Sequence, residues 1–308
     1  MIGDKKLLLN LDNVVARRPI TADIFLTDYC NNRCPYCTYA RYGERNGRYM
    51  RFNDFVRYSE RLLDFRVRGM ILTGGGEPTI NPDFMRICEY LEDSNIPYGI
   101  NTNFNQYREI HPTYLKVSLD AWDEDSYQDK RGVRAYERTR ENILRYADAK
   151  GETSLGIQLT VCEPNEILPF YDANRDLPVD YIVFRPIEST RGEYYANRDI
   201  YGEMSVLHDL AKLDSRVTVN YKWDKLNMSF DRCYAHDLQI ALDTDGNVIY
   251  CCHKPYEIVG HVMDSDILDK CRSAVTDMSR CDIPCRLTAP NEIIRVIETD
   301  KSRDRGFI

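Results

Sequence analysis

The stretch TADIFLTDYCNNRCPYC (residues 21–37) decides the reading of this chain: an apolar run of strand length leads directly into three cysteines at CxxxCxxC spacing, Cys30, Cys34 and Cys37. A closed structural zinc site uses four protein ligands, so three thiols leave one coordination position open for chemistry. Working outward, strands and helices alternate. FNDFVRYSERLLDF puts Phe55, Val56, Ser59, Leu62 and Leu63 on one helical face with Asn53 available as N-cap, and the strand MILT (70–73) follows. INPDFMRICEYLEDSN predicts a helix capped by Asn81, with Pro82 at its first position and Phe84, Ile87, Cys88 and Leu91 facing inward. YGINTN, LKVSLDA, a helix over 136–149, SLGIQLTV (154–161), a helix starting near Asn165 and DYIVFRP (180–186) continue the pattern.

Six strand candidates separated by helices imply βα units and a parallel sheet. Six units are fewer than the eight of a closed barrel, so the fold class is α/β, a partial (β/α)6 TIM barrel over residues 1–215. Ligands in such folds sit at the carboxyl ends of the strands. The cysteine triplet, GGGEP (74–78), NTN (101–103) and VSLD (117–120) all fall there, and are expected to face one cavity. From about residue 216 the rhythm changes: QIALDTDGNVIYCC alternates around Asp245-Gly246, a hairpin signal, and DSDILDKCRSAVTDM has a helical pattern. Cys233, Cys251, Cys281 and Cys285 flank these pieces. Residues 216–308 therefore read as a small α+β domain organised by a metal centre, because so short a segment has little core of its own.

Composition sets the bounds. The chain has 308 residues, 43% of them hydrophobic, enough for a large core and a smaller second domain. Its formal charge of -8, from 41 basic and 49 acidic residues, weighs against a nucleic-acid surface. The same charge is compatible with a cationic small-molecule substrate, although a solvated acidic surface is the commoner reason for such a balance. The first twenty residues hold only a short LLL run, neither a secretory signal nor a membrane span, so a cytoplasmic protein without a membrane partner is expected. Eleven cysteines are many for such a chain, and they crowd its beginning and its last quarter, with only Cys88 and Cys162 between. Stable disulfides are not expected in that compartment, so thiolate ligation of metal is the economical explanation. Zinc at the triplet would want a fourth ligand nearby, and the next candidate is Cys88, on the buried face of a predicted helix.

CxxxCxxC with an aromatic before its last cysteine, followed by Gly74-Gly75-Gly76-Glu77-Pro78 after the second strand, resembles the radical S-adenosylmethionine (radical SAM) superfamily over residues 20 to about 190. The resemblance implies that Cys30, Cys34 and Cys37 hold a [4Fe-4S] cluster whose fourth iron takes the amino and carboxylate groups of SAM. It further implies that reduction by a flavodoxin or ferredoxin cleaves SAM to methionine and a 5′-deoxyadenosyl radical, which abstracts a substrate hydrogen atom. It sets Gly74, Gly75 and Gly76 against the methionyl ammonium with Glu77 nearby, Tyr36 by the adenine, Ser118 at the ribose, and Asn103 and Arg185 as further SAM contacts. On position alone, Asn103 and Arg185 are equally ordinary loop polar residues.

Cys233, Gly246 with four residues to Cys251, then Cys281 and Cys285 resemble the abbreviated SPASM arrangement called a twitch domain, which implies one auxiliary [4Fe-4S] cluster on four thiolates. CDIPC departs from that pattern, with three residues between the last pair where two are frequent, and a zinc knuckle suits the same four ligands. Cys252 adjoins a presumed ligand, and neighbours on a strand point to opposite faces, so one of Cys251 and Cys252 is left over. A thiol facing the cavity can return a hydrogen atom to a carbon radical and invert its centre. The layout resembles radical SAM epimerases acting on aminoglycosides in antibiotic biosynthesis, which makes Cys252 the expected catalytic donor; the alternative is a small buried packing residue. Cys88 and Cys271 read as core residues and Cys162 as a weaker alternative donor. A small-molecule dehydrogenase, a peptide-modifying enzyme and an iron-sulfur carrier stay open. Against the second, only about twenty residues precede the first strand, too few for a winged-helix leader-peptide domain; against the third, GGGEP has no use without SAM. Tyr39, Tyr42, Tyr194 and Tyr195 are candidates to line the cavity.

Overall fold

All six expected strands occur in the computed structural model, which describes residues 7–37, 39, 47–187, 198–219, 231–252, 254–278, 285 and 287–299. They are β1 (Thr21–Phe25), β2 (Gly69–Thr73), β3 (Tyr98–Thr102), β4 (Tyr114–Ser118), β5 (Ser154–Val161) and β6 (Tyr181–Pro186). Each pairs in parallel with the next. Beyond the expected set, β7 (Val217–Val219) adds a parallel strand to β6. On the opposite side β8 (Gln239–Leu242) pairs parallel with β1, and β9 (Asn247–Cys251) and β10 (Lys254–His261) extend the sheet antiparallel. The result is one open ten-stranded sheet in the order β10-β9-β8-β1-β2-β3-β4-β5-β6-β7, a partial barrel with a hairpin on its β1 side.

The helices are α1 (Leu11–Val15), α2 (Phe52–Asp64), α3 (Phe84–Asp93), α4 (Glu124–Arg131), α5 (Tyr136–Ala149), α6 (Ile167–Asn174), α7 (Met204–Leu213), α8 (Ile267–Ser273) and α9 (Thr288–Thr299). In α2 the buried stripe is Phe55, Tyr58, Ser59 and Leu62; it keeps the expected Phe55, Ser59 and Leu62 and gains Tyr58, while Leu63 is exposed and Val56 only half-buried. α3 buries Phe84, Ile87, Cys88 and Leu91 as its 3.6-residue period requires. These stripes pack on the apolar sheet to form the main core.

Two helix starts differ from expectation. Asn53 lies inside α2, whose first N–H, on Phe52, is taken by Asp83 Oδ2 at 3.0 Å. Asn81 accepts from Asp83 N on Oδ1 at 2.8 Å, but α3 begins two residues later than expected, at Phe84. The Asn81 side-chain nitrogen donates to Leu26 O (2.6 Å) and Met50 O (2.9 Å), knitting β1 to the entry of α2. α4 has no apolar stripe to betray it in the sequence. A reciprocal capping box between Asp123 and Ser126, acids in its first turn, bases in its last and Gly132 at φ 72° after it hold it instead. Among the described residues no helix is long and apolar enough to cross a membrane.

Candidate functional site

Because side chains alternate along a strand, the inward positions of β1 to β6 meet the loops at the strand ends in one cavity of about 290 Å³. Cys30, Cys34, Cys37, Tyr36, Gly74, Gly75, Gly76, Glu77, Asn103, Ser118, Arg185 and Cys252 all line it. So do Asn101 and Asp120, from the NTN and VSLD stretches, and Asp23, Lys116, Arg131 and Gln158, which the sequence did not single out. Cys162 does not line it: its N–H is held by Glu166 Oε2 at 2.8 Å. Tyr39 lines it, while Tyr42, Tyr194, Tyr195 and Cys281 lie outside the described residues.

The glycines answer to the framework. Gly74 and Gly75 adopt φ of 57° and 64°, and a Cβ on Gly74 would sit 2.0 Å from the Phe25 ring. A Cβ on Gly76 would fall 1.7 Å from the Tyr29 carbonyl oxygen. That closeness lets Gly76 N donate to Thr27 O (2.7 Å) and Glu77 N to Tyr29 O (2.8 Å), a two-bond splice of GGGEP to the chain entering the cysteine triplet. Glu77 is a brace. Its Oε1 accepts from Thr79 N (3.2 Å), Thr79 Oγ1 (2.7 Å) and Thr102 Oγ1 (2.5 Å), and its Oε2 from Asn103 N (2.7 Å). Burial raises its carboxyl above the ordinary value, and these bonds oppose the rise.

Asn103 is likewise engaged, donating from Nδ2 to Asn31 Oδ1 at 2.6 Å. Asp120, at φ 56°, accepts on Oδ2 from Tyr36 OH (3.1 Å) and Arg131 Nη1 (2.8 Å), and on Oδ1 from Thr160 N (2.5 Å). Arg131 also offers its carbonyl to Arg33 N at 2.8 Å, so the last turn of α4 holds the cysteine loop from below. Burial pushes the Cys30 thiol up to about 11, with the Glu77 charge adding to it. It raises the Cys34 thiol too, against the pull of Arg131.

Tyr39 connects the two halves. Its ring meets Phe25 edge-on at 5.2 Å, and its hydroxyl donates to Cys252 O at 2.9 Å. Cys251, the last residue of β9, is not in the cavity lining, as strand alternation requires. In the C-terminal region Asn291 of α9 accepts from Tyr234 N and donates to Arg232 O (3.2 Å), gripping the backbone on both sides of Cys233. Cys285 stands just before α9, its Sγ accepting from Leu287 N at 3.3 Å.

Residues 24–162 match the family model described as the radical SAM superfamily. Over these residues the chain is similar to the radical SAM superfamily. Among curated proteins the chain is similar to the GTP 3′,8-cyclase of Pectobacterium atrosepticum, 24% identical over 212 residues, 63% of each chain. It is also similar to an S-adenosylmethionine-dependent nucleotide dehydratase of a Thermoplasmatales archaeon, 27% identical over 161 residues, 50% of this chain and 56% of that one. It thus spans less than two thirds of the length of either relative. Among solved structures, Streptococcus suis SuiB bound to precursor peptide SuiA has a TM-score of 0.64 at 16% identity, covering 87% of this chain and 70% of that one. anSMEcpe with bound AdoMet and Cp18Cys peptide also reaches 0.64 at 16%, covering 89% and 88%. At that identity the likeness is one of fold.

A radical SAM domain takes a [4Fe-4S] cluster and SAM, and the residues present fit both. Three soft thiols line one cavity, and burial that keeps thiols protonated is what a bound cation reverses. Among the described residues no three His, Cys, Asp or Glu side chains converge as a single metal ion needs. Asn101 Oδ1 and Gln158 Oε1 are buried in the lining without a protein hydrogen-bond partner, which suits a polar cofactor or substrate.

Proposed function

We propose that the chain is a radical SAM enzyme that epimerises a carbon of a sugar or aminoglycoside, with Cys252 returning the hydrogen atom. The observation that carries this reading is that Cys252 lines the cavity of the cysteine triplet and of Gly74 to Gly76, while Cys251 does not. When bound at Cys30, Cys34 and Cys37, the [4Fe-4S] cluster supplies the electron that cleaves SAM to methionine and a 5′-deoxyadenosyl radical able to take a substrate hydrogen atom. The residues do the rest. Tyr39 holds the Cys252 backbone at the cavity. Asp23, Asn101 and Gln158 offer acceptors to a hydroxyl- or ammonium-bearing substrate. Transfer of hydrogen from the Cys252 sulfur forms the new C–H bond and leaves a thiyl, which one further electron and a proton restore. Each turnover then uses one SAM and two electrons from a flavodoxin or ferredoxin. Cys233, Cys251, Cys281 and Cys285 would carry an auxiliary [4Fe-4S] cluster in a twitch-like arrangement. Four thiolates leave it no open iron, which suits electron transfer.

The test is anaerobic reconstitution with dithionite and SAM in D2O, against a panel of aminoglycosides, sugar derivatives and, because SuiB and anSMEcpe are described with peptides, short peptides. Mass spectrometry follows 5′-deoxyadenosine and every panel member. One carbon-bound deuterium gained by a panel member, and lost with Cys252→Ala, is the expected result. A product two hydrogens lighter that Cys252→Ala leaves unchanged would overturn the donor role and assign a dehydrogenase.

A further inference from the structure

We propose that Asn32 and Asn105 are positioning residues for the iron-sulfur site: a buried amide chain anchored outside the cavity holds the main-chain N–H of Asn32 on the Cys30 sulfur and thereby raises the reduction potential of the cluster bound there. This rests on Cys30, Cys34 and Cys37 being cluster ligands. The chain begins at Tyr127 of α4, fully buried, whose hydroxyl donates to Asn105 Oδ1 at 2.7 Å, with Thr139 Oγ1 of α5 at 2.9 Å from the same oxygen. With Oδ1 committed as acceptor, Asn105 has only Nδ2 to donate, and Nδ2 lies 2.7 Å from Asn32 Oδ1. Asn32, itself fully buried, directs its backbone N–H to Cys30 Sγ at 3.4 Å.

Neither Asn32 nor Asn105 lines the cavity, so neither is placed to touch SAM or substrate. Their effect reaches the site through the loop. The two residues flanking Asn32 are also fixed, Asn31 by Asn103 (2.6 Å) and Arg33 by the Arg131 carbonyl (2.8 Å), each on a different element of the barrel. Buried bonds of this kind are strong and leave the loop little freedom. A hydrogen bond to a thiolate ligand favours the more electron-rich, reduced cluster, and such bonds are among the factors that set iron-sulfur potentials.

The test uses the full chain, reconstituted anaerobically as wild type, Asn105→Ala, Asn32→Ala and the double variant. Iron and sulfide content are measured first. The midpoint potential of the cluster whose EPR signal changes on SAM addition is then titrated. Each single variant is expected to keep its iron and to move that midpoint to a more negative value, and the double variant to move it no further than Asn32→Ala alone. An unaltered midpoint in Asn105→Ala, or fully additive shifts in the double variant, overturns the proposal. Should Asn105→Ala fail to load, Tyr127→Phe removes the anchoring hydroxyl at nearly constant volume and is read in the same titration. A smaller shift in the same direction supports the chain, and none refutes it. A wild type that takes up no SAM-responsive cluster would instead refute the cluster reading of the three cysteines, a result distinct from a loaded variant with an unmoved potential.

Discussion

Replacing Gly76 with alanine would set a methyl carbon 1.7 Å from the Tyr29 carbonyl oxygen, 2.4 Å from its carbonyl carbon and 2.8 Å from its nitrogen. All three are backbone atoms, so no rotamer relieves the overlap. To reach even the tightest tolerated contact of 3.0 Å the two segments must part by roughly 1.3 Å. That separation breaks the bonds from Gly76 N to Thr27 O and from Glu77 N to Tyr29 O, at 2.7 and 2.8 Å. Two such bonds are worth about 1 kcal/mol each, and overpacking adds about 1–3 kcal/mol. Gly76→Ala should therefore cost about 3–5 kcal/mol, read as a lower urea midpoint at constant m in the metal-free chain. Gly202→Ala is the control: nothing lies within 4 Å of its Cβ and its φ is not positive, so its change should stay within about 0.5 kcal/mol. If Gly76→Ala matched that control, the splice of GGGEP to the cysteine loop would not be what demands glycine, and the framework account of these residues would be wrong.

Asp120→Asn should destabilise the chain by about 3–5 kcal/mol in the same assay, because it leaves the nearly buried Arg131 guanidinium without its counter-charge. A loss below about 1 kcal/mol would mean that the guanidinium finds other solvation. Hydrogen bonds from Arg216 hold the Asp214 carboxyl at about 2. A folded value below the roughly 3.9 of an unfolded aspartate means that the stabilisation is full above that value and is lost as pH falls towards 2. Asp214→Asn should flatten the fall of stability over this range, and an unchanged slope would contradict the pairing. Tyr39→Phe removes the 2.9 Å bond to Cys252 O, and Cys252 in the metal-free chain should then alkylate severalfold faster with iodoacetamide. An equal rate would show that Tyr39 does not hold it.

The strands and the shared cavity were legible because parallel strands with both faces covered read as apolar runs, and their order alone puts Cys30, Gly74, Asn103 and Ser118 at one end of the sheet. Cys252 was legible through the two-residue period of β9. Helix starts were less so: Asn81 does accept from Asp83 N, but α3 begins only at Phe84, and the Asn81 amide nitrogen is spent on a tertiary contact. α4 carried a signal that periodicity ignores, an acid three residues before Ser126 and a glycine after Arg131. The pairs Asp120 with Arg131, Asn105 with Asn32 and Tyr39 with Cys252 join positions that no spacing rule links; only the fold brings them together.

β1 bonds to β2 on one side and to β8 on the other, so the first strand of the barrel is an interior strand. A truncated chain lacking the C-terminal hairpin would uncover the whole length of β1 as an edge with unpaired N–H and C=O groups. Ala22, Ile24 and Phe25 on that strand are at most 4% exposed in the intact sheet. Such a fragment should aggregate through this edge instead of persisting as a soluble barrel, which makes the C-terminal hairpin a safeguard against misassembly as well as the carrier of Cys252.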